Sequence, residues 1–87
     1  MKSIIWTQTA WNQYAYWQKT DKKIVKRINE LIIDISRNGL LNGIEKPEPL
    51  KNIKACSRRI NDEHRLIYNY GDNNDLIIYA CLGHYEK

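Results

Sequence analysis

Between Asp21 and Gly39 the apolar residues recur at helical spacing. Ile24, Val25, Ile28, Leu31, Ile32 and Ile35 fall on one face, with Lys22, Lys23, Lys26, Arg27, Glu30, Asp34 and Arg37 on the other. This predicts a helix opened by Thr20 or Asp21, whose negative charge the dipole favours, and closed by Asn38-Gly39 as a left-handed cap. Upstream, Thr7 or Thr9 caps a second helix reaching about Lys19, with Ala10, Trp11, Tyr14 and Trp17 in one arc. An aromatic stripe at this spacing reads as core. Lys2 to Trp6 is short and β-prone, suiting an edge strand.

After Ser57 the period changes to two. Arg58 and Ile60 share one face and Arg59 takes the other, and Asp62-Glu63 makes a turn. His64 to Tyr70 then sets Leu66, Tyr68 and Tyr70 against Arg65, Ile67 and Asn69. A second turn spans residues 71–75. Leu76 to Leu82 is apolar throughout, the pattern of a central strand covered on both faces. Between the helices and these strands the chain is irregular. Pro47 and Pro49 bracket Glu48 and hold it on a stiff, extended segment. The expected fold is α+β, with two N-terminal helices packed on one face of a small antiparallel sheet, in the order βααβββ.

The 87 residues fit a single domain, and 43% hydrophobic with 28% charged residues is a globular composition, not a disordered or collagenous one. The longest apolar run, Leu76 to Leu82, is too short to span a bilayer, which takes roughly 18–20 residues. Ile4-Ile5-Trp6 is likewise too short for a signal-peptide core, so a cytoplasmic protein is expected. Cys56 and Cys81 lack metal-ligand spacing and read as buried, reduced thiols. Neither a metal nor a cofactor is implied.

Charge sharpens the picture. The net charge is +4, and residues 46–59 alone carry +4, with Glu48 the single carboxylate among Lys46, Lys51, Lys54, Arg58 and Arg59. Residues 60–87 carry −3. Solvation alone accounts for the basic face of the second helix; contact with a large polyanion is the functional alternative. A Ser/His/Asp triad, a phosphate-binding loop and a dinucleotide fingerprint are all absent.

One chemistry suits the residues that remain. Metal-free RNA cleavage needs a base for the 2′-hydroxyl proton, an acid for the leaving 5′-oxygen and cations for the phosphate. Glu48 is a workable base, His64 and His84 are the two candidate acids, and Arg58, Arg59 and Arg65 are candidate phosphate ligands. The ordinary alternatives are a surface histidine near the terminus, Arg59 and Arg65 paired with Asp62 and Glu63, and Tyr85 as a surface tyrosine.

The strings in which these residues stand carry a resemblance. Trp11-x-x-Tyr14-x-Tyr16-Trp17, Asp21-Lys22-Lys23-Ile24-Val25-Lys26-Arg27, Lys46-Pro47-Glu48-Pro49-Leu50-Lys51, Ser57-Arg58-Arg59-Ile60, Glu63-His64-Arg65-Leu66-Ile67-Tyr68 and His84-Tyr85 occur in that order. The chain closely resembles the YoeB toxins, the Txe/YoeB family of the RelE/ParE superfamily, over essentially its whole length. That resemblance implies the toxin of a type II toxin–antitoxin pair, an endoribonuclease that cuts mRNA at the ribosomal A site without metal and leaves a 2′,3′-cyclic phosphate. It implies Glu48 as general base, His84 as general acid, Arg65 as stabiliser of the phosphate, Arg59 and Lys51 as further phosphate contacts, and Tyr85 as an orienting residue. It also implies a YefM-like antitoxin partner, operator DNA bound through the toxin–antitoxin complex, and a homodimer as one assembly. With a ribosomal substrate, rRNA phosphates become the polyanion for Lys22, Lys23, Lys26 and Arg27. The chain departs from the family pattern in a shorter loop before Ser57, at Cys56, at Leu82-Gly83 and in Glu86-Lys87 after Tyr85. A rival reading is a catalytically weakened module that binds antitoxin and operator DNA as a co-repressor.

Overall fold

The structure is a computed structural model and describes residues 2–83. Its elements run β1 (Ile4–Trp6), α1 (Gln8–Thr20), α2 (Lys22–Asn38), β2 (Glu48–Pro49), β3 (Cys56–Arg59), β4 (Arg65–Tyr70) and β5 (Leu76–Ala80). The five strands form one sheet in the order β1-β5-β4-β3-β2. The α+β class and its two N-terminal helices are as the sequence pattern implies. Two details differ. β1 pairs parallel with β5, so the sheet is mixed, and Glu48–Pro49 adds a short edge strand on β3. A pattern of local turns cannot show the first, because β1 meets its partner across more than 70 residues of chain.

The helix boundaries have local causes. Thr7 accepts a hydrogen bond from the Ala10 amide, and Asp21 accepts from Lys23 and Ile24, so each helix starts at a capping side chain. Gly39, at φ 87°, ends α2. α2 buries Ile24, Ile28, Leu31, Ile32 and Ile35 against Leu66, Tyr68, Leu76 and Ile78 of the sheet. Each such side chain contributes about 1.5–3 kcal/mol when fully removed from water.

α1 corrects the expectation of an all-core stripe. Ala10 and Trp17 are buried, but Trp11 is 48% exposed and leans with Tyr14 on Trp6 in an aromatic cluster beside β1. The strand buried at consecutive positions is also not the predicted one. β4 buries Leu66, Ile67 and Tyr68 in succession, whereas β5 buries Leu76 and Ile78 and leaves Ile77 and Tyr79 half-exposed. Both cysteines are free and buried, as expected, and burial pushes the Cys81 thiol up to about 12. Among the described residues no helix is long and apolar enough to cross a membrane.

Candidate functional site

Residues paired directly across strands point their side chains to the same face. Glu48 pairs with Ser57, Ser57 with Ile67, and Arg59 with Arg65. These five side chains therefore share the sheet face turned away from the helices, while Arg58, Leu66 and Tyr68 point to the helix-covered face. Alternation along three short strands thus gathers one carboxylate and two arginines on one surface.

Arg65 is held there by three contacts. Its Nε donates to Ser57 Oγ at 2.9 Å, its Nη2 donates to the Lys46 carbonyl at 3.2 Å, and Nη2 lies 3.7 Å from Glu48 Oε1. The side chains of Arg65 and Glu48 remain 22% and 34% exposed, so the pair faces a solvent-accessible surface. At 3.7 Å the two charges attract without closing a short hydrogen bond. Arg59 instead pairs with the exposed Asp62 at 2.7 Å, the ordinary alternative recognised from sequence. Lys51 is exposed in the β2–β3 turn, three residues beyond Glu48.

The segment presenting Glu48 is strained and heavily tied. Glu45 and Lys46 both have positive φ, 61° and 54°, where side-chain-bearing residues are uncommon and each costs on the order of 1–2 kcal/mol. The Arg59 amide donates to the Glu45 carbonyl at 2.8 Å, and Arg27 forms an ion pair with the Glu45 carboxylate. Arg58 completes the anchoring. Its guanidinium has no exposed surface and directs all five donors at Tyr68 Oη, Asp34 and the carbonyls of Ile44, Gly39 and Asn42. With no donor left for a ligand, Arg58 is excluded as a phosphate contact. Burial would raise the Asp34 carboxyl, but hydrogen bonds from Arg58, the Ile44 amide and Asn38, together with the Arg58 charge, hold it below its ordinary value.

The last described residue, Gly83, is tied to the start of β4. The Arg65 amide donates to the Gly83 carbonyl at 2.8 Å, and the Gly83 amide donates to His64 Nδ1, also at 2.8 Å. His84 and Tyr85 lie outside the described residues. The structure therefore brings Glu48, Arg65 and Arg59 to one face and fixes the residue preceding His84 beside Arg65. Lys22, Lys23, Lys26 and Arg27 of α2 are all exposed, and Arg27 also pairs with the Glu45 carboxylate and so helps anchor the site loop. Sequence reasoning missed Ser57, the Lys46 carbonyl and the Glu45–Lys46 turn. Ser57 was within reach, since it stands two residues before Arg59 on the same strand face.

Residues 6–85 match the family described as the YoeB-like toxin of bacterial type II toxin-antitoxin systems. The chain belongs to the YoeB-like toxin family. It is 52% identical over 84 residues to toxin YoeB of Escherichia coli K12, an alignment covering 94% of this chain and 98% of that protein. It superposes on a YoeB dimer from Staphylococcus aureus with TM-score 0.88 and 49% identity, covering 95% of this chain and 97% of the other. A YoeB–YefM complex from the same organism gives TM-score 0.88 and 48% identity over the same shares of the two chains. As a YoeB-like toxin, the chain is the toxin of a toxin–antitoxin system.

Proposed function

We propose that this YoeB-like toxin is a ribosome-dependent endoribonuclease that cleaves mRNA through the ribose 2′-hydroxyl. The observation that carries the reading is the Glu48–Arg65 pair, 3.7 Å apart on the helix-free face, with the Arg65 backbone holding the residue before His84. In this mechanism Glu48 takes the 2′-hydroxyl proton as the 2′-oxygen attacks phosphorus. The bond from phosphorus to the 5′-oxygen breaks, and His84 donates a proton to that leaving oxygen. Arg65 offsets charge building on the non-bridging oxygens, and the products are a 2′,3′-cyclic phosphate and a 5′-hydroxyl. Arg59 leaves the exposed Asp62 for the phosphate backbone, Lys51 adds a second cation and Tyr85 orients the scissile nucleotide.

The remaining roles follow from charge and kinship. Lys22, Lys23, Lys26 and Arg27 present an exposed cationic helix face for rRNA phosphates, and Arg27 also anchors the site loop through Glu45. The Staphylococcus aureus complex supports a YefM-like antitoxin as the partner, and the dimer supports self-association as one assembly. Operator DNA bound through the toxin–antitoxin pair is part of the same proposal. The test is cleavage of a defined mRNA on purified ribosomes, with the product ends determined. A 2′,3′-cyclic phosphate is expected. A 3′-hydroxyl would overturn the mechanism, and absence of cleavage with retained antitoxin binding would favour the co-repressor.

A further inference from the structure

The mechanism uses one of the two histidines and leaves His64 without a task. Its surroundings are specific. The backbone is fixed by the β3–β4 turn, where the His64 amide donates to Asn61 Oδ1 at 2.8 Å and its carbonyl accepts from Ile60 at 2.9 Å. The ring meets Trp17 edge-to-face, with centroids 4.8 Å apart and planes at 72°. In that position Nδ1 accepts the Gly83 amide at 2.8 Å, while the next residue, Arg65, donates its own amide to the Gly83 carbonyl at 2.8 Å. Two consecutive residues thus grip both polar groups of Gly83.

The grip extends back to α1. The Cys81 amide donates to Gln13 Oε1 at 2.7 Å, and the Trp17 indole N–H donates to the Cys81 carbonyl at 2.9 Å. Trp17 therefore supports the ring of His64 and the chain that His64 holds. Gly83 itself sits at φ 80°, a conformation side-chain-bearing residues rarely adopt, so the bend there depends on glycine. The next residue in the chain is His84, which lies outside the described residues.

We propose that His64 is a positioning residue for His84: by accepting the Gly83 amide at Nδ1, it sets the backbone from which the general acid enters the site. The role rests on the endoribonuclease reading above. It requires the neutral ring with its proton on Nε2, the tautomer assigned from the hydrogen-bond geometry, because a protonated Nδ1 has no lone pair to offer. The side chain makes no contact with the reacting atoms in this account. It acts through distance and angle, where a displacement of about 1 Å costs about 10²-fold in rate.

Two substitutions separate positioning from packing. His64→Phe keeps a ring against Trp17 and removes the acceptor. His64→Asn loses the ring but places Oδ1 close to where Nδ1 stood. Single-turnover cleavage on programmed ribosomes should fall roughly 10–100-fold for His64→Phe, with half-saturating toxin concentration unchanged, and return to within about threefold of the parent for His64→Asn. Hydrogen exchange of the Gly83 amide, followed by NMR on the isolated toxin, should quicken in His64→Phe and not in His64→Asn. A folded His64→Phe variant that cleaves at the parent rate overturns the proposal, as does a folded His64→Asn variant that loses activity. His84→Ala is run in parallel. If it cleaves like the parent, the functional reading fails and this role with it; if it is impaired while His64→Phe is not, the positioning role alone fails.

Discussion

Three arginines on two adjacent strands meet three environments, and the environment decides what each can do. Arg58 is fully buried with every donor bonded, Arg59 reaches an exposed aspartate, and Arg65 stands beside Glu48 on the open face. A buried ion pair stabilises only while both partners remain; removing one strands the other's charge, typically at about 3–5 kcal/mol. Asp34→Asn should therefore destabilise the protein by about that amount in urea denaturation at pH 7. The pH dependence follows from the direction of the Asp34 shift. Its folded value lies below the ordinary 3.8, so its contribution is complete above that value and lost as pH falls through the folded one. The stability gap between parent and Asp34→Asn should shrink between pH 5 and pH 3, and a gap that widens on acidification would contradict the assignment.

At the scale of elements, the segment from Gly39 to Pro49 connects the α2 terminus to the site. Gly43 lies at φ 111°, and a Cβ there would collide with the Asp34 carboxylate that holds Arg58. Gly43→Ala should lower stability by about 1–3 kcal/mol and reduce cleavage as well, because the same segment presents Glu48. Melting and cleavage measured together check this; a stable variant with parent activity would show that the segment is not coupled to the site. The exposed α2 face gives a separate expectation. Replacing Lys22, Lys23 and Lys26 with Gln should weaken ribosome binding and flatten its salt dependence without moving the cleavage positions. Binding at two salt concentrations, with cleavage mapping alongside, reads both effects.

Much of this was legible along the chain, because its signals are local. The Asp21 cap, the aliphatic face of α2, the extended Pro47-Glu48-Pro49 segment and the opposed faces of Arg58 and Arg59 all follow from neighbours a few residues apart. The rest depends on contacts between distant segments. Nothing near Ile4–Trp6 tells that it pairs in parallel with Leu76–Ile78. Nothing near Arg58 tells that five acceptors converge on it from α2, its following loop and Tyr68. Glu45 and Lys46 carry none of the glycine or asparagine signal of positive φ, since tertiary hydrogen bonds rather than local preference hold them there. His64 was visible as a titratable group, but its role as an acceptor for Gly83 emerges only once the strands are paired.

For the whole molecule, the division of labour is between two faces of one sheet. The helices and the buried aliphatic layer stabilise one face, and the other displays the carboxylate and arginines that the proposed chemistry needs. The central claim is that this second face, with the residue following Gly83, cleaves RNA by acid–base chemistry. The most direct test is the single-turnover cleavage rate of a defined mRNA on programmed ribosomes, compared among the parent, Glu48→Ala, Arg65→Ala and His84→Ala at saturating toxin. Each substitution should slow cleavage about 10²–10⁴-fold while ribosome binding persists. Parent-like rates in all three would contradict the account.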